Sequence, residues 1–332
     1  MEFDEHHYFS KIVSILKISK QISIPELSKT LSSSPEFVLD FLTRLQKITS
    51  CIILDCETVF LVNPLSLLDH YQIKTSLDLS LIPSIGKLKI LLSTESTNDV
   101  IKKMLSTESS KVNICLSEHQ TNGRGRRGKE WVSPFGKNIY FSMNYPAKLE
   151  HLKTGSISLW VGLGLISVLQ QLSVNKLSLK WPNDIYYEDK KLAGILMESQ
   201  IENSKNVNLI IGVGINVDMA EFDAKCIDQS WIDLRRIFGV NDSIPNRNQI
   251  VGMLINTLFE TLESYELSGF RDIVTKWREL DYLYKKEVEV NIADSKIVGI
   301  ADGINHNGEL IVLVDGKPQS FCSGDVSVRK RN

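Results

Sequence analysis

Three glycines alternate with three arginines near the middle of this chain, where residues 123 to 128 read GRGRRG. Glycine lets backbone N–H groups approach a ligand closely, and an arginine guanidinium can grip phosphate or carboxylate oxygens through two parallel hydrogen bonds. No Gly-Lys-Ser or Gly-Lys-Thr follows, so the stretch is not a P-loop, and its spacing does not fit the dinucleotide-binding fingerprint. It indicates either an anion-binding loop or a solvated surface loop.

A second stretch, KWPNDIYYEDKKLAGIL, holds an acid and a base on either side of an acidic turn. If that turn closes a hairpin, Asp184 and Lys191 approach each other across two strands. In a pocket, such a pair supplies a base and a charge stabiliser. On a surface it is an ordinary ion pair that contributes less than about 1 kcal/mol. The segment alone leaves both interpretations open.

Length, composition and charge restrict the class of protein. The chain has 332 residues, of which 42% are hydrophobic and 23% charged, so we expect two or three domains with a substantial core. A net charge of −2 favours a local anion site over a general nucleic-acid binder. No long apolar run or apolar signal core is present, which predicts a cytoplasmic protein without a membrane span. The five cysteines are scattered, as expected of reduced thiols.

Secondary-structure signals divide the chain into three parts. Between residues 8 and 63, capping serines at Ser23 and Ser34 precede proline-containing helix starts, and CIILDCETVFLV follows as two short strands; this predicts a winged helix-turn-helix. From Lys87, strands alternate with helices, as in an α/β core. The tail from 284 to 330 predicts short strands with tight turns, which suits a small β-barrel.

Taken together, these residues resemble the bacterial biotin protein ligases of the bifunctional ligase and biotin-operon repressor type. Six motifs occur in the family's order, namely STN at 96–98, GRGRRG at 123–128, W.SPFG.N.Y.SM from 131, KWPND at 180–184, KLAGIL at 191–196 and GVGIN at 212–216. The resemblance implies that biotin and Mg-ATP give biotinyl-5′-adenylate and pyrophosphate. Biotin would then be transferred to one lysine of the biotin carboxyl carrier protein of acetyl-CoA carboxylase.

The same resemblance implies an α+β fold of three domains. These would be a winged helix-turn-helix at 1–63, a linker at 64–86, a central α/β ligase core with a mixed sheet at 87–280, and a small SH3-like β-barrel at 281–332. The Gly-Arg loop, residues 123 to 128, would fold over the adenylate. Such closure suits a mixed anhydride that water hydrolyses.

Roles for individual residues follow from the resemblance. The residues implied to bind biotin are Ser96, Thr97, Asn98, Gln120, Arg124, Gly125, Arg126 and Lys191. The residues implied to contact ATP or the adenylate are Arg126, Asn183, Asn216 and Trp231. Three residues would be catalytic: Lys191 neutralises charge at the α-phosphate, Asp184 deprotonates or orients the acceptor lysine, and Arg126 retains the adenylate. No protein ligand is assigned to Mg²⁺.

Purely structural roles, helix capping or core packing, remain open for several of these residues. Ser96 and Thr97 could simply cap a helix, and Trp231 could be a core residue. Trp131 and Trp181 are expected to pack in the core. Two other functions also remain open: a lipoate or octanoate ligase or transferase, which shares the core fold, and a ligand-sensing DNA-binding protein without catalysis.

The N-terminal part is a poor electrostatic match to DNA. Residues 1 to 63 carry six lysines and arginines against eight acids, and the presumed recognition helix, Pro35 to Lys47, contains Glu36 and Asp40. DNA affinity depends largely on neutralising phosphates. Two alternatives stay open: a repressor that binds operator DNA as a homodimer formed on adenylate binding, or a ligase whose N-terminal part does not bind DNA. For the homodimer, we expect strands near Asn138–Asn144 and Leu192–Glu198 to offer the free sheet edge.

Overall fold

The computed structural model describes residues 3–62, 65–105, 111–148, 154–221, 223–239, 244–268, 273–292, 295–324 and 326–331. Over these residues the fold is α+β, with a mixed central sheet and an antiparallel C-terminal sheet. Within the same residues, none of the helices combines the length and apolar character needed to cross a bilayer.

Three helices and a small sheet form the N-terminal module, residues 3–62. Its elements are α1 (Glu5–Ser19), β1 (Gln21–Ser23), α2 (Ile24–Leu31), α3 (Pro35–Gln46), β2 (Ile52–Asp55) and β3 (Thr58–Leu61). The three strands pair antiparallel in the order β1-β3-β2. Ser23 and Ser34 accept hydrogen bonds from backbone N–H groups three residues on, as the sequence predicts. Strand β1 was not predicted, because three residues carry too short a pattern to detect.

The N-terminal module packs against the rest of the chain through its own hydrophobic cluster. That cluster includes Leu92 and Phe135, both outside the module, and the ring of Phe9 lies 5.8 Å from that of Phe135. Residues 65 to 84 then hold a short helix, α4 (His70–Thr75), and a 3₁₀ helix at Leu79–Ser84. The first core strand begins two residues before the predicted start at Lys87.

A seven-stranded sheet forms the centre of the molecule. The elements from residue 85 to 280 are β4 (Ile85–Leu91), α5 (Thr97–Leu105), β5 (Val112–Ser117), a 3₁₀ turn (Arg126–Gly128), β6 (Ile139–Lys148), α6 (Thr154–Gln171), β7 (Leu177–Lys180), β8 (Asp184–Tyr187), β9 (Lys190–Ile201), β10 (Asn206–Ile215), α7 (Leu234–Phe238), α8 (Arg247–Ser268) and α9 (Ile273–Leu280). The strand order is β4-β5-β6-β10-β9-β8-β7, with β4 and β5 parallel and the other pairs antiparallel.

Helices cover both faces of this sheet. Successive residues of a strand point to opposite faces, and in β5 Ile114 joins the large core cluster while Cys115 packs with α5. The long helices α6 and α8 pack against each other within the large cluster. Helix α5 is thereby fixed on the face that also carries the polar residues of the site.

The prediction that two strands of the core offer a free sheet edge is wrong. Strand β6, which contains Asn138–Asn144 except for its first residue, pairs with β5 on one side and β10 on the other. Strand β9, which contains Leu192–Glu198, pairs with β10 and β8. Both strands are interior because the chain order of strands does not give their order in space. The outer strands are β4 and β7.

The C-terminal residues form a five-stranded antiparallel sheet. Its strands are β11 (Glu287–Ile292), β12 (Ser295–Ile304), β13 (Leu310–Val314), β14 (Lys317–Phe321) and β15 (Val326–Lys330), paired in the order β14-β13-β12-β11-β15. Its apolar side joins the large core cluster. The indole N–H of Trp181 also donates to the carbonyl of Gly308 at 3.0 Å, so this sheet is anchored beside the KWPND segment.

Candidate active site

Ten of the twelve predicted site residues line one cavity of about 900 Å³. These are Ser96, Thr97, Asn98, Gln120, Arg124, Gly125, Arg126, Asn183, Asp184 and Lys191. The cavity lies between the Gly-Arg loop, the middle strands of the central sheet and strand β15. Eight lysines and arginines line it against three acids. A protein of net charge −2 therefore concentrates positive charge here, as a phosphate-binding site requires.

One end of the cavity is lined by neutral polar groups. The Gln120 side-chain oxygen accepts hydrogen bonds from the backbone N–H of Thr97 at 2.9 Å and from its hydroxyl at 3.2 Å. The hydroxyl of Ser142 contacts Thr97 at 2.7 Å and donates to the Asn98 side-chain oxygen at 2.6 Å. Ser96, Thr97 and Asn98 are all buried. This end can satisfy a small polar ring by hydrogen bonding.

Two glycines of the GVGIN motif create the space for this arrangement. A Cβ at Gly212 would overlap the Asn98 amide, and one at Gly214 would overlap the ring of Trp131. Both glycines lie on β10, so the strand backbone forms the floor of the cavity. The motif is therefore explained by close approach and not by a turn.

The Gly-Arg loop lies across the cavity as a short folded segment. The Gly125 N–H donates to the carbonyl of Lys129 at 2.6 Å, and the Trp131 N–H donates to that of Gly123 at 2.9 Å. Arg127 adopts a left-handed φ of 58°. These bonds give the loop a defined path whose side chains reach different partners.

Arg124 and Arg126 have different surroundings. Arg124 binds the Asp99 carboxylate through both terminal nitrogens, at 2.6 and 2.7 Å. Arg126 donates to the Asn183 side-chain oxygen at 3.3 Å, and burial lowers its pKa although the charge of Asp184 opposes that shift. Arg126 therefore faces the cavity as a partly desolvated cation, while Arg124 is committed to a protein carboxylate.

Asp184 and Lys191 meet as the sequence predicts, but not as direct cross-strand partners. Register pairs Asp184 with Gly194 and Lys191 with Tyr186, with an irregularity between Ile185 and Tyr186. The side chains reach diagonally, and the Lys191 Nζ lies 2.9 Å from an Asp184 oxygen. Both are mostly buried, at 14% and 19% exposed. An ion pair so enclosed belongs to the cavity and not to the surface.

The remaining two predicted residues surround a smaller neighbouring cavity of about 220 Å³. Asn216 donates from its amide to the carbonyl of Ile232 at 3.1 Å, which holds the segment carrying Trp231. One face of the Trp231 ring is covered by the Arg236 guanidinium, 4.2 Å from the ring centre. Lys191 and Trp131 are among the residues that line both cavities, so the two spaces are neighbours.

The two other tryptophans differ from each other. Trp181 is buried and hydrogen-bonded to Gly308, so its predicted packing role agrees with its position. Trp131 was expected to pack as well, but it lines both cavities and its ring lies 5.3 Å from the Lys191 Nζ. The packing interpretation of Trp131 is therefore incomplete. The sequence around Trp131 gave no sign that its ring would reach a lysine 60 positions away.

Several further residues of the cavity were missed by sequence reasoning. Lys180 lies 3.1 Å from the Tyr186 hydroxyl, and burial lowers its pKa. Arg329 and Lys330 enter from β15 of the C-terminal sheet. The lysine of KWPND was a usable signal because it begins a motif already singled out. No sequence signal pointed to Arg329 and Lys330, since only the docking of the C-terminal sheet brings them to the cavity.

The described part of the chain shows no side-chain cluster dedicated to a metal ion. Over the described residues, no group of three or more His, Cys, Asp or Glu side chains converges as a metal cage. Mg²⁺ bound to a nucleotide retains phosphate and water ligands and needs only one or two protein oxygens.

Comparison with known proteins agrees with this geometry. A family model described as "Biotin/lipoate A/B protein ligase family" matches residues 91–216, and one described as "Biotin protein ligase C terminal domain" matches residues 286–329. The bifunctional ligase/repressor BirA of Escherichia coli is 35% identical over 269 residues, which is 81% of this chain and 80% of that protein. The biotin–[acetyl-CoA-carboxylase] ligase of Mycobacterium tuberculosis is 29% identical over 246 residues, 72% of this chain and 88% of that protein.

A solved structure is similar over much of the fold. The biotin protein ligase from Aquifex aeolicus in complex with biotin and ATP has a TM-score of 0.63 and 25% identity, covering 74% of this chain and 100% of that one. The mixed sheet and the cationic cavity thus agree with the family match, which places the chain in the biotin and lipoate class of protein ligases. Within that class, the chain belongs to the biotin protein ligase family.

Proposed function

We propose that this ligase activates biotin with Mg-ATP and transfers it to a specific lysine of the biotin carboxyl carrier protein of acetyl-CoA carboxylase. The single observation that carries the proposal is the cavity in which a neutral polar end adjoins an enclosed Lys191–Asp184 pair beneath an arginine-bearing loop. A neutral hydrogen-bonding end suits the uncharged ureido ring of biotin. The cationic remainder suits its carboxylate and the nucleotide phosphates.

In the first step, a biotin carboxylate oxygen attacks the α-phosphorus of ATP and pyrophosphate leaves. Two anions must approach each other, so the cation at the point of contact determines the barrier. Lys191 is the residue proposed for that position, because it lines both cavities and its ammonium group is enclosed beside Asp184. Lys129 also lines both cavities, but it is exposed. Arg126, partly desolvated and held by Asn183, would retain the adenylate afterwards. Adenine would stack on the ring of Trp231, which lines the smaller cavity.

In the second step, the acceptor lysine attacks the acyl carbon of the adenylate and AMP leaves. A free lysine has a pKa of about 10.4 and is mostly charged at neutral pH, so it must lose a proton before it can attack. Asp184 is proposed to accept or orient that proton. It is a mostly buried carboxylate at the cavity wall, and we propose that Lys191 leaves it for the phosphate when the adenylate is bound.

The direct test is incubation of the protein with biotin, Mg-ATP and a carrier domain, followed by intact mass measurement. The expected result is a single biotin added to the carrier, and no addition when ATP is omitted. Addition of lipoate or octanoate in place of biotin, in matched reactions, would support the lipoate-type alternative. A protein that binds biotin but modifies no carrier in any reaction would be a ligand sensor without catalysis.

Repressor activity is a separate hypothesis, suggested by the names of relatives such as the Escherichia coli bifunctional ligase/repressor. We infer that the N-terminal module is a winged helix-turn-helix, with α3 as recognition helix and the β2–β3 hairpin as wing. Glu36, Phe37, Leu39 and Asp40 are exposed on α3, and Arg44 is paired with Glu5 and Asp40. That face favours the alternative in which the protein is a ligase only.

Two further proposals concern organisation. We propose the division into 1–63, 64–86, 87–280 and 281–332, with the C-terminal sheet as an SH3-like barrel. The first strand of the core begins at Ile85, two residues before the proposed boundary. We also retain homodimer formation on adenylate binding. A sheet that continues across a two-fold axis would need an outer strand, β4 or β7, and sedimentation with and without biotinyl-adenylate would test it.

A further inference from the structure

A network of charged and polar contacts connects the Gly-Arg loop to Asn98, at the neutral polar end of the cavity proposed to bind biotin. The Arg124 guanidinium binds both oxygens of Asp99, and the Lys102 Nζ lies 3.6 Å from Asp99. Lys102 also lies 2.7 Å from a Glu198 oxygen, and the other Glu198 oxygen accepts from the Asn98 amide at 2.7 Å. Three of these groups stand on α5, and Glu198 stands on β9.

Asp99 connects the loop end of this contact network to its helix end. It follows directly on Asn98 at the start of α5, so the same helical turn carries a proposed biotin contact and the anchor of the loop. The bidentate geometry fixes the orientation of Arg124 as well as its distance. The hydrogen bond from Arg124 lowers the pKa of Asp99 below its usual value. At 28% and 29% exposed, the two groups are partly shielded from solvent.

We infer that Asp99 is a positioning residue, which ties the Gly-Arg loop to the helix that carries the biotin contacts and so slows escape of the adenylate. Lys102 and Glu198 extend the tie to Asn98, so that a ligand held by Asn98 stabilises the closed loop. Asp99 itself touches no reacting atom. The inference rests on the proposed function for its ligand, but the tie itself is a property of the free protein.

The first experiment needs no ligand. Amide hydrogen exchange in the free protein would be compared between the wild type and Asp99→Asn. The probes are the N–H groups of Gly125 and Trp131, because each forms a hydrogen bond that joins the loop to the residues directly after it. Exchange should become about tenfold faster in the variant. Asp302→Asn is the matched control. Asp302 is also 28% exposed, and it pairs with Lys285 at a distance of 2.6 Å. Neither residue lines the cavity. Unchanged exchange in Asp99→Asn would overturn the inference.

The second experiment measures escape of biotinyl-adenylate from the preloaded protein by trapping. Asp99→Asn should release it about tenfold faster with the melting temperature within about 2 °C of the wild type, while Asp99→Glu should restore much of the retention. Arg124→Gln should show the same increase, and the double variant should add nothing to it. Release unchanged in Asp99→Asn, or fully additive effects, would contradict the tie. If the wild type forms no adenylate, the proposed function fails while the exchange result still stands.

Discussion

Replacement of Lys191 by alanine should abolish most adenylate formation while leaving biotin binding largely intact. The Lys191 Nζ lies 2.9 Å from Asp184, and its side chain is only 14% exposed. A positive charge in so enclosed a position acts mainly on charge that develops in the transition state. Removal of one such stabilising group typically costs about 10²–10³ in rate, or about 3–4 kcal/mol. Arg126 and Lys180 share the cavity, so we expect the lower end of that range.

The substitution also leaves Asp184 without its partner. A mostly buried carboxylate that loses its counter-charge destabilises the fold, here by about 1–2 kcal/mol because 19% of the side chain still reaches solvent. The double variant Lys191→Ala/Asp184→Asn removes that cost. It should therefore recover the melting temperature without recovering the rate. Lys190→Ala, one residue earlier and exposed, should change neither quantity.

The assay is single-turnover formation of biotinyl-adenylate, with biotin affinity measured separately by calorimetry. The expected pattern is a rate reduced by about 10²-fold with biotin affinity changed less than about fivefold. Equal losses in affinity and rate would make Lys191 a simple ligand contact. Recovery of the rate in the double variant would refute the reasoning in another way, because the defect would then come from the unpaired aspartate.

Three other outcomes are expected. Arg126→Gly should release biotinyl-adenylate early, so that mass spectrometry finds biotin on lysines of bystander proteins; labelling confined to the carrier lysine would count against retention. Backbone amides of residues 121 to 129 should exchange at least tenfold more slowly with biotin and ATP bound than without them, and exchange in the free protein as slow as in the complex would contradict ligand-gated order. Burial raises the pKa of Asp281 to about 6. Because that value lies above the unfolded one, stability should fall as pH rises from about 4 to 6, and Asp281→Asn should be about 1–2 kcal/mol more stable than the wild type at pH 7.5 by urea unfolding.

Local signals predicted the helix starts well. Ser23 and Ser34 cap their helices because a serine hydroxyl needs only the backbone N–H three residues on, a contact that sequence spacing specifies. Asp184 and Lys191 were predicted to meet for a similar reason, since a hairpin of a few residues brings its two strands together. In both cases the interacting groups are near in sequence, so local rules were sufficient.

Long-range order was not predictable in the same way. The proposed sheet edge was wrong because β10, which is late in the chain, inserts between β6 and β9. The Asp99–Arg124 pair was missed because 25 residues separate the partners, and only the placement of α5 on the sheet brings them together. The contact of Arg124 with biotin, implied by the resemblance, stays a prediction, and its guanidinium is bound to Asp99 in this structure. The contribution of β15 to the cavity depends on domain docking and lies outside any local pattern.

The N-terminal module has an inner face whose role does not depend on DNA binding. His6 lies 3.5 Å from the fully buried Glu118, which also pairs with Arg247 at 2.7 Å. Burial alone would raise the pKa of Glu118, but Arg247 and His6 hold it below its usual value. Glu118 precedes Gln120 by two residues, so loss of the module would weaken the support of a segment that lines the biotin end of the cavity. The outer face of α3 can therefore be tested for operator binding by surface substitutions alone. Deletion of the module is not an equivalent test, because it would alter the ligase site as well.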